Sequence, residues 1–115
     1  MPSEYHELAE NLVPTLEAFS LKKGYPINRT FLYNPPYEWS KNIELYIFLE
    51  TEQKYENALN SQFTSIIENR FRKLLIEHGF PEKRKFEIIV KLYSIEYALE
   101  KGEGNFDEFI EEYVL

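Results

Sequence analysis

The chain has 115 residues, of which 43% are hydrophobic and 17% aromatic, and disordered chains are not aromatic in this proportion. It contains no cysteine, which excludes disulfide scaffolds, thiolate metal sites and cysteine nucleophiles. Twenty acids stand against thirteen bases, and the net charge of −7 argues against a phosphate-binding surface and so against nucleic acid as a partner.

By the usual scaling, a chain of this size exposes about 6,600 Å² folded and roughly 20,000 Å² extended, enough burial for one core. A single globular domain over 1–115 is the expectation. The N-terminal residues Pro2, Ser3, Glu4, Tyr5, His6 and Glu7 are not followed by an apolar run, which argues against a signal peptide. The longest strongly apolar stretch, Leu45 to Leu49, is too short to span a bilayer. No membrane association and a cytoplasmic location are therefore expected.

The spacing of Tyr5, Leu8, Ala9, Leu12, Val13, Leu16 and Phe19 predicts a helix over residues 3–20. Ser3 is its expected N-cap, and Glu4 and Glu7 suit the positive end of the dipole. Pro14 should kink this helix or begin a new one, and Lys22, Lys23 and Gly24 form a stop signal. Residues 29–33 read as a short strand, followed by a loop at Asn34, Pro35, Pro36 and Tyr37. Tyr33, Tyr37 and Trp39 cluster around that loop, either as interface anchors or as a cover for one end of the core.

Residues 43–50 alternate as a strand, with Ile43, Leu45, Ile47 and Leu49 on one face. Glu44, Tyr46, Phe48 and Glu50 lie on the other. Both faces are partly apolar, so a central position is expected. Residues 61–78 form the clearest helix, on the stripe Phe63, Ile66, Ile67, Phe71, Leu74 and Leu75. Glu68 and Arg72 are expected to pair on its exposed side, with Gly79 as the C′ residue. Lys83, Arg84 and Lys85 read as a solvated turn. Residues 86–93 then alternate as a strand, with Phe86, Ile88, Val90 and Leu92 on one face. Ser94 caps a short helix to Lys101, and Gly102, Glu103 and Gly104 break the chain. Asn105 and Glu108 have capping-box spacing before a last helix whose expected buried face is Phe106, Phe109, Ile110, Tyr113 and Val114. The order α-β-β-α-β-α implies an α+β fold, with a three- or four-stranded sheet carrying the helices.

Motifs for catalysis are sparse. No serine sits in a nucleophile elbow, and Gly102-Glu103-Gly104 lacks the later glycine and the lysine of a phosphate loop. His6 and His78 are the only histidines, and a lone pair without cysteine does not make a typical structural zinc site. Either could serve as a general base or metal ligand, or simply close a helix end. Glu44 and Glu50 are the acids least easily assigned to a polar helix face. No cofactor or metal is expected.

Charge layout is the most informative feature. Residues 94–115 hold seven acids and one base, a net of −6, whereas residues 54–91 hold eight bases and five acids. An acidic surface speeds encounter with a basic partner and repels nucleic acid. The expected partner-binding residues are Glu96, Tyr97, Glu100, Glu103, Asp107, Glu108, Glu111, Glu112 and Tyr113. The aromatic content and a possible edge strand near Phe31 also admit a self-associating adaptor domain or homodimer. A small hydrolase or isomerase built on glutamate and histidine is the third reading.

The layout of the C-terminal half resembles small bacterial immunity proteins that neutralise polymorphic or contact-delivered toxins. The likeness runs through the strand Ile43–Glu50 and the helix Phe63–Leu75 with its ending Glu77-His78-Gly79-Phe80-Pro81. It continues through the strand Phe86–Tyr93, then Ser94-Ile95-Glu96, the glycine break and Phe106. It implies a non-catalytic protein without cofactor, held one-to-one on a toxin domain, often a basic nuclease. It carries no binding residue over by motif.

Overall fold

The computed structural model describes residues 5–33 and 42–115. Its elements are α1 (His6–Lys22), β1 (Ile27–Tyr33), β2 (Ile43–Leu49), α2 (Glu52–Asn60), α3 (Phe63–Glu77), β3 (Ile88–Ser94), α4 (Ile95–Lys101) and α5 (Phe106–Phe109). A 3₁₀ segment, Glu82–Glu87, precedes β3, and a π-helical turn, Ile110–Val114, extends α5. The fold is α+β, with a three-stranded sheet in the order β1-β2-β3. β1 runs antiparallel to β2, and β2 runs parallel to β3, pairing Ile43 with Ile88 through to Leu49 with Ser94.

The central place of β2 follows from its two apolar faces. Ile43, Leu45, Ile47 and Leu49 pack with Ile88, Val90 and Leu92 under α1, α2 and α3. Tyr46 and Phe48 point the other way and are buried with Ala98, Phe109 and Ile110 from α4, α5 and the π turn. One face of the sheet is therefore mainly aliphatic and the other mainly aromatic.

α1 is a single helix that runs through Pro14. Pro14 lies on the exposed side of the helix, and its missing N–H leaves the Glu10 carbonyl without its usual helical donor. Its expected N-cap Ser3 lies outside the described residues, as do the loop Asn34–Tyr37, Tyr37 itself and Trp39. Two helices close in the same way. Gly24 (φ +93°) and Gly79 (φ +113°) take the left-handed conformation. The Tyr25 N–H then returns to Ser20 O, and the Phe80 N–H to Leu75 O.

Residues 51–60, for which the periodicity predicts no element, form α2. Its only buried residue is Ala58, so it carries no apolar stripe to read. Thr51 caps it by accepting the Lys54 N–H at 3.1 Å.

Four expectations are corrected. Ile66 is exposed rather than part of the buried stripe of α3. Phe86 is 73% exposed and belongs to the 3₁₀ segment, with β3 beginning at Ile88. Arg84 is not simply solvated: it pairs with Glu87 and lies over the rings of Tyr5 and Phe80. Glu68 and Arg72 do pair, at 3.3 Å, but half-buried against the outer edge of β3. Arg72 donates to the Ile88 carbonyl at 3.1 and 2.9 Å, and the Val90 N–H donates to Glu68 at 3.0 Å. Side chains of α3 thus occupy backbone groups that an edge strand would otherwise present to another chain.

Candidate functional site

The acidic residues predicted to bind a partner lie on α4, the glycine corner, α5 and the π turn. Ser94 fixes the start of α4, accepting the Tyr97 N–H at 2.9 Å. Gly102 fixes the corner. A Cβ there would lie 2.1 Å from the Asn105 carbonyl oxygen, so the corner closes only over glycine. Glu103 and Gly104 then turn through the left-handed region at φ +55° and +86°. Asn105 caps α5 by accepting the N–H groups of Asp107 and Glu108 at 2.9 and 3.2 Å. The expected capping box closes on one side only, because the Asn105 N–H goes to the Gly102 carbonyl.

Glu108 is left exposed. With Lys101, Glu103, Asn105 and Glu112 it lines a surface hollow of about 380 Å³. Glu100, Asp107 and Glu111 are exposed outside that hollow. Among the described residues, no acid of this group enters an ion pair. Acids elsewhere do: Glu50 with Lys54 at 2.9 Å, Glu87 with Arg84 at 2.9 Å, Glu68 with Arg72, and Glu44 with Lys91 at 3.7 Å. Tyr113, expected in the core, is instead 53% exposed among these acids, its ring stacked on Phe109 at 5.3 Å.

Glu96 and Tyr97 are drawn elsewhere. Glu96 accepts the Glu52 N–H at 2.7 Å and so caps α2 from another helix. Tyr97 lines a crevice of about 230 Å³ with Glu52, Tyr55, Tyr93 and Ser94. Buried Ser94 also donates to the Glu52 carboxylate. This crevice sits where the parallel strands β2 and β3 end, the usual place for a ligand cleft beside parallel strands. Nothing in the sequence marked it, because Tyr55 comes from an element without a readable period.

No family model, curated protein or solved structure matches the chain.

The remaining candidates are dispersed. His78 places Nδ1 2.8 Å from the Leu74 carbonyl, where it closes α3 as a donor. His6 lies 4.0 Å from Glu10, one turn along α1. Glu44 and Glu50, about 20 Å apart along the strand direction at ordinary strand rise, each face their own lysine. No set of three or more histidine or carboxylate side chains among the described residues is arranged to hold a metal. No helix among them is long and apolar enough to cross a membrane.

Shifted titrations mark packing. Burial and the Glu44 carboxylate hold the Tyr46 hydroxyl above its ordinary range, against the opposing pull of Lys91. At Lys91, burial acts downward, but Tyr46, by charge and hydrogen bond, and Glu44 outweigh it and raise the ammonium. Burial, with Glu52 and the two neighbouring tyrosines, raises Tyr55. The hydrogen bond and charge of Lys54 lower exposed Glu50.

Proposed function

We propose that this chain is a non-catalytic binding protein that neutralises a basic protein, and that the partner is a nuclease toxin blocked at its active site. The observation that supports this reading is the set of acids from Glu100 to Glu112, which have no ion-pair partner among the described residues, with half-exposed Tyr113 among them. Six of the residues expected from the sequence, Glu100, Glu103, Asp107, Glu108, Glu111 and Glu112, present carboxylates to solvent. Such carboxylates would stand where the toxin expects substrate phosphates. Paired with desolvated Lys or Arg they would give specificity, and Tyr113 offers the aromatic anchor. The resemblance to immunity proteins supplies the partner class.

The test is capture of the partner at low salt, followed by a nuclease assay of the captured protein with and without this chain. The control carries Glu100→Lys, Asp107→Lys, Glu108→Lys and Glu111→Lys. The expected outcome is one basic nuclease, retained and inhibited by the native chain and released by the control. Equal retention by both proteins would overturn the electrostatic mechanism. The association rate should also fall steeply with salt.

A second reading is favoured by one observation: β1 is an edge strand. Antiparallel pairing of two β1 strands about a two-fold axis would join two sheets. Sedimentation showing a monomer at high concentration would remove it.

A further inference from the structure

The crevice between Tyr55, Tyr93 and Tyr97 has a chemistry that its position does not lead one to expect. Helix N-termini beside the carboxyl ends of parallel strands ordinarily favour an anion. Here the protein has filled that role itself. The Glu52 N–H is bonded to the Glu96 carboxylate, the Lys54 N–H to Thr51, and the Tyr97 N–H to Ser94. Two carboxylates, Glu52 and Glu96, therefore stand where an anionic ligand would bind. Among the described residues, neither has a Lys or Arg partner. Three phenol rings complete a wall of about 230 Å³ around one of these carboxylates.

The aromatic side of the sheet already holds cations of its own. The Arg29 guanidinium lies 4.4 Å from the Phe106 ring, the Lys91 ammonium 5.3 Å from Tyr46, and the Lys101 ammonium 5.7 Å from Tyr97. Among the described residues, Tyr55 and Tyr93 lie under no such cation. A carboxylate backed by aromatic rings favours an organic cation twice, through charge and through the ring quadrupoles. Burial and Glu52 favour the neutral form of Tyr55, so its ring offers no charge of its own to the crevice.

We propose that this crevice receives an organic cation, the ammonium or guanidinium end of a Lys or Arg side chain of the basic partner. The choice of a partner's side chain over a free amine rests on the function proposed above. Glu96, bonded to the backbone N–H of Glu52 beside the crevice, and Glu100, one turn along α4, connect it to the acidic surface, so one partner can engage both. Glu96 and Tyr97 then act at this end of the interface, and Tyr113 and the π-turn acids at the other.

The test uses the full chain and two soluble probes, butylammonium and its neutral analogue 1-butanol, at constant ionic strength. Butylammonium up to about 100 mM, a range that reaches weak millimolar sites, should shift the ring resonances of Tyr55, Tyr93 and Tyr97. Butanol should not. Glu52→Gln should weaken the probe about tenfold, the range expected of a partly desolvated cation site. Tyr55→Leu should weaken it similarly, and Tyr55→Phe should retain it. Helical circular dichroism checks that each variant is folded.

Equal shifts with butanol, no shift at all, or full binding by folded Glu52→Gln would each overturn the cation site. The charge-reversed control for the proposed function leaves the crevice lining intact, so it should still bind butylammonium. If the probe binds but no basic protein is captured, the cation site stands and its assignment to that partner fails. If a nuclease is captured with unchanged affinity by Glu52→Gln and Tyr55→Leu, the function stands and the crevice plays no part in it.

Discussion

The aliphatic face of the sheet is covered by α1 and α3, of 17 and 15 residues, and by α2. Its aromatic face is covered by α4 and α5, of seven and four residues, and a five-residue π turn. Long helices bury continuous stripes such as Leu12, Val13 and Leu16, which need only apolar volume. Short helices bury few side chains each: α4 buries Ala98, and α5 buries Phe109. Phe109 meets Phe48, Tyr93, Tyr97 and Tyr113 at ring-centroid distances of 5.3 to 6.0 Å. Charge divides along the same line. Glu68 on α3 is paired and bonded to backbone, whereas the acids of α5 and the π turn have no ion-pair partner among the described residues. Glu68 on the first face is tied into the fold, and the acids of α5 and the π turn on the second are not.

The sharpest way to break this comparison is to remove one ring from each face. Phe71→Ala and Phe109→Ala should each cost about 3–5 kcal/mol, since both rings are fully buried. The consequences should differ in extent. Phe71 lies under the longer helices, so its loss should speed amide exchange throughout. Loss of Phe109 should first release α4, α5 and the π turn, with protection in α1 and α3 retained. Uniform exchange in Phe109→Ala would show that the two faces unfold as one.

Next in size is the edge of β3. Glu68→Ala leaves the Val90 N–H without its acceptor and Arg72 without its carboxylate. A loss of about 1–3 kcal/mol is expected from denaturant unfolding. Glu77→Ala on the same helix, whose carboxylate is 4.0 Å from Lys73 and exposed, should cost less than about 0.5 kcal/mol. Equal losses would mean that Glu68 acts only as a helix-surface charge.

That pair also marks where the sequence could be read and where it could not. The four-residue spacing correctly paired Glu68 with Arg72. It could not tell which side of α3 faces the edge of a sheet, because that depends on contacts 16 and 22 residues away in the chain. Strand β2, the long helices and the glycine stops were legible, since each depends on local period or on a left-handed position. Helix α2 was not, because its stability comes from Thr51, from Glu96 across the molecule and from Ala58 rather than from a stripe. Tyr113 was placed inside by spacing, but the last turn widens to a π turn, closed by the Leu115 N–H on the Ile110 carbonyl, and the ring is half-exposed. For the acidic surface, the charge count was legible, and the drawing away of Glu96 to cap α2 was not.

A smaller effect comes from pH. Tyr46, Tyr55 and Lys91 all titrate higher folded than unfolded. Above about pH 10 the unfolded chain releases these protons first, so it binds fewer than the folded one, and stability falls as pH rises. Tyr46→Phe should flatten this alkaline decline in thermal unfolding scans while leaving the midpoint near pH 7 little changed. An unchanged slope would assign the decline to other groups.

The smallest effects should come from the acids of the aromatic face, and their signs are informative. Asp107 and Glu108 lie in the first turn of α5, where the dipole favours a negative charge, so Asp107→Asn and Glu108→Gln should each cost about 0.3–1 kcal/mol. Glu111 and Glu112 lie beyond the last turn of α5, in the π turn, close to other carboxylates and toward the negative end of the dipole. Glu111→Gln and Glu112→Gln should therefore leave stability unchanged or raise it by up to about 0.5 kcal/mol. A fold served by these side chains would lose stability when they are neutralised. If stability holds while partner capture falls, the carboxylates are retained at the expense of the folded state, as expected of groups that act on another molecule. A loss above about 1 kcal/mol from Glu111→Gln or Glu112→Gln would place them among the groups that hold the helix, and would remove the contrast between the two faces.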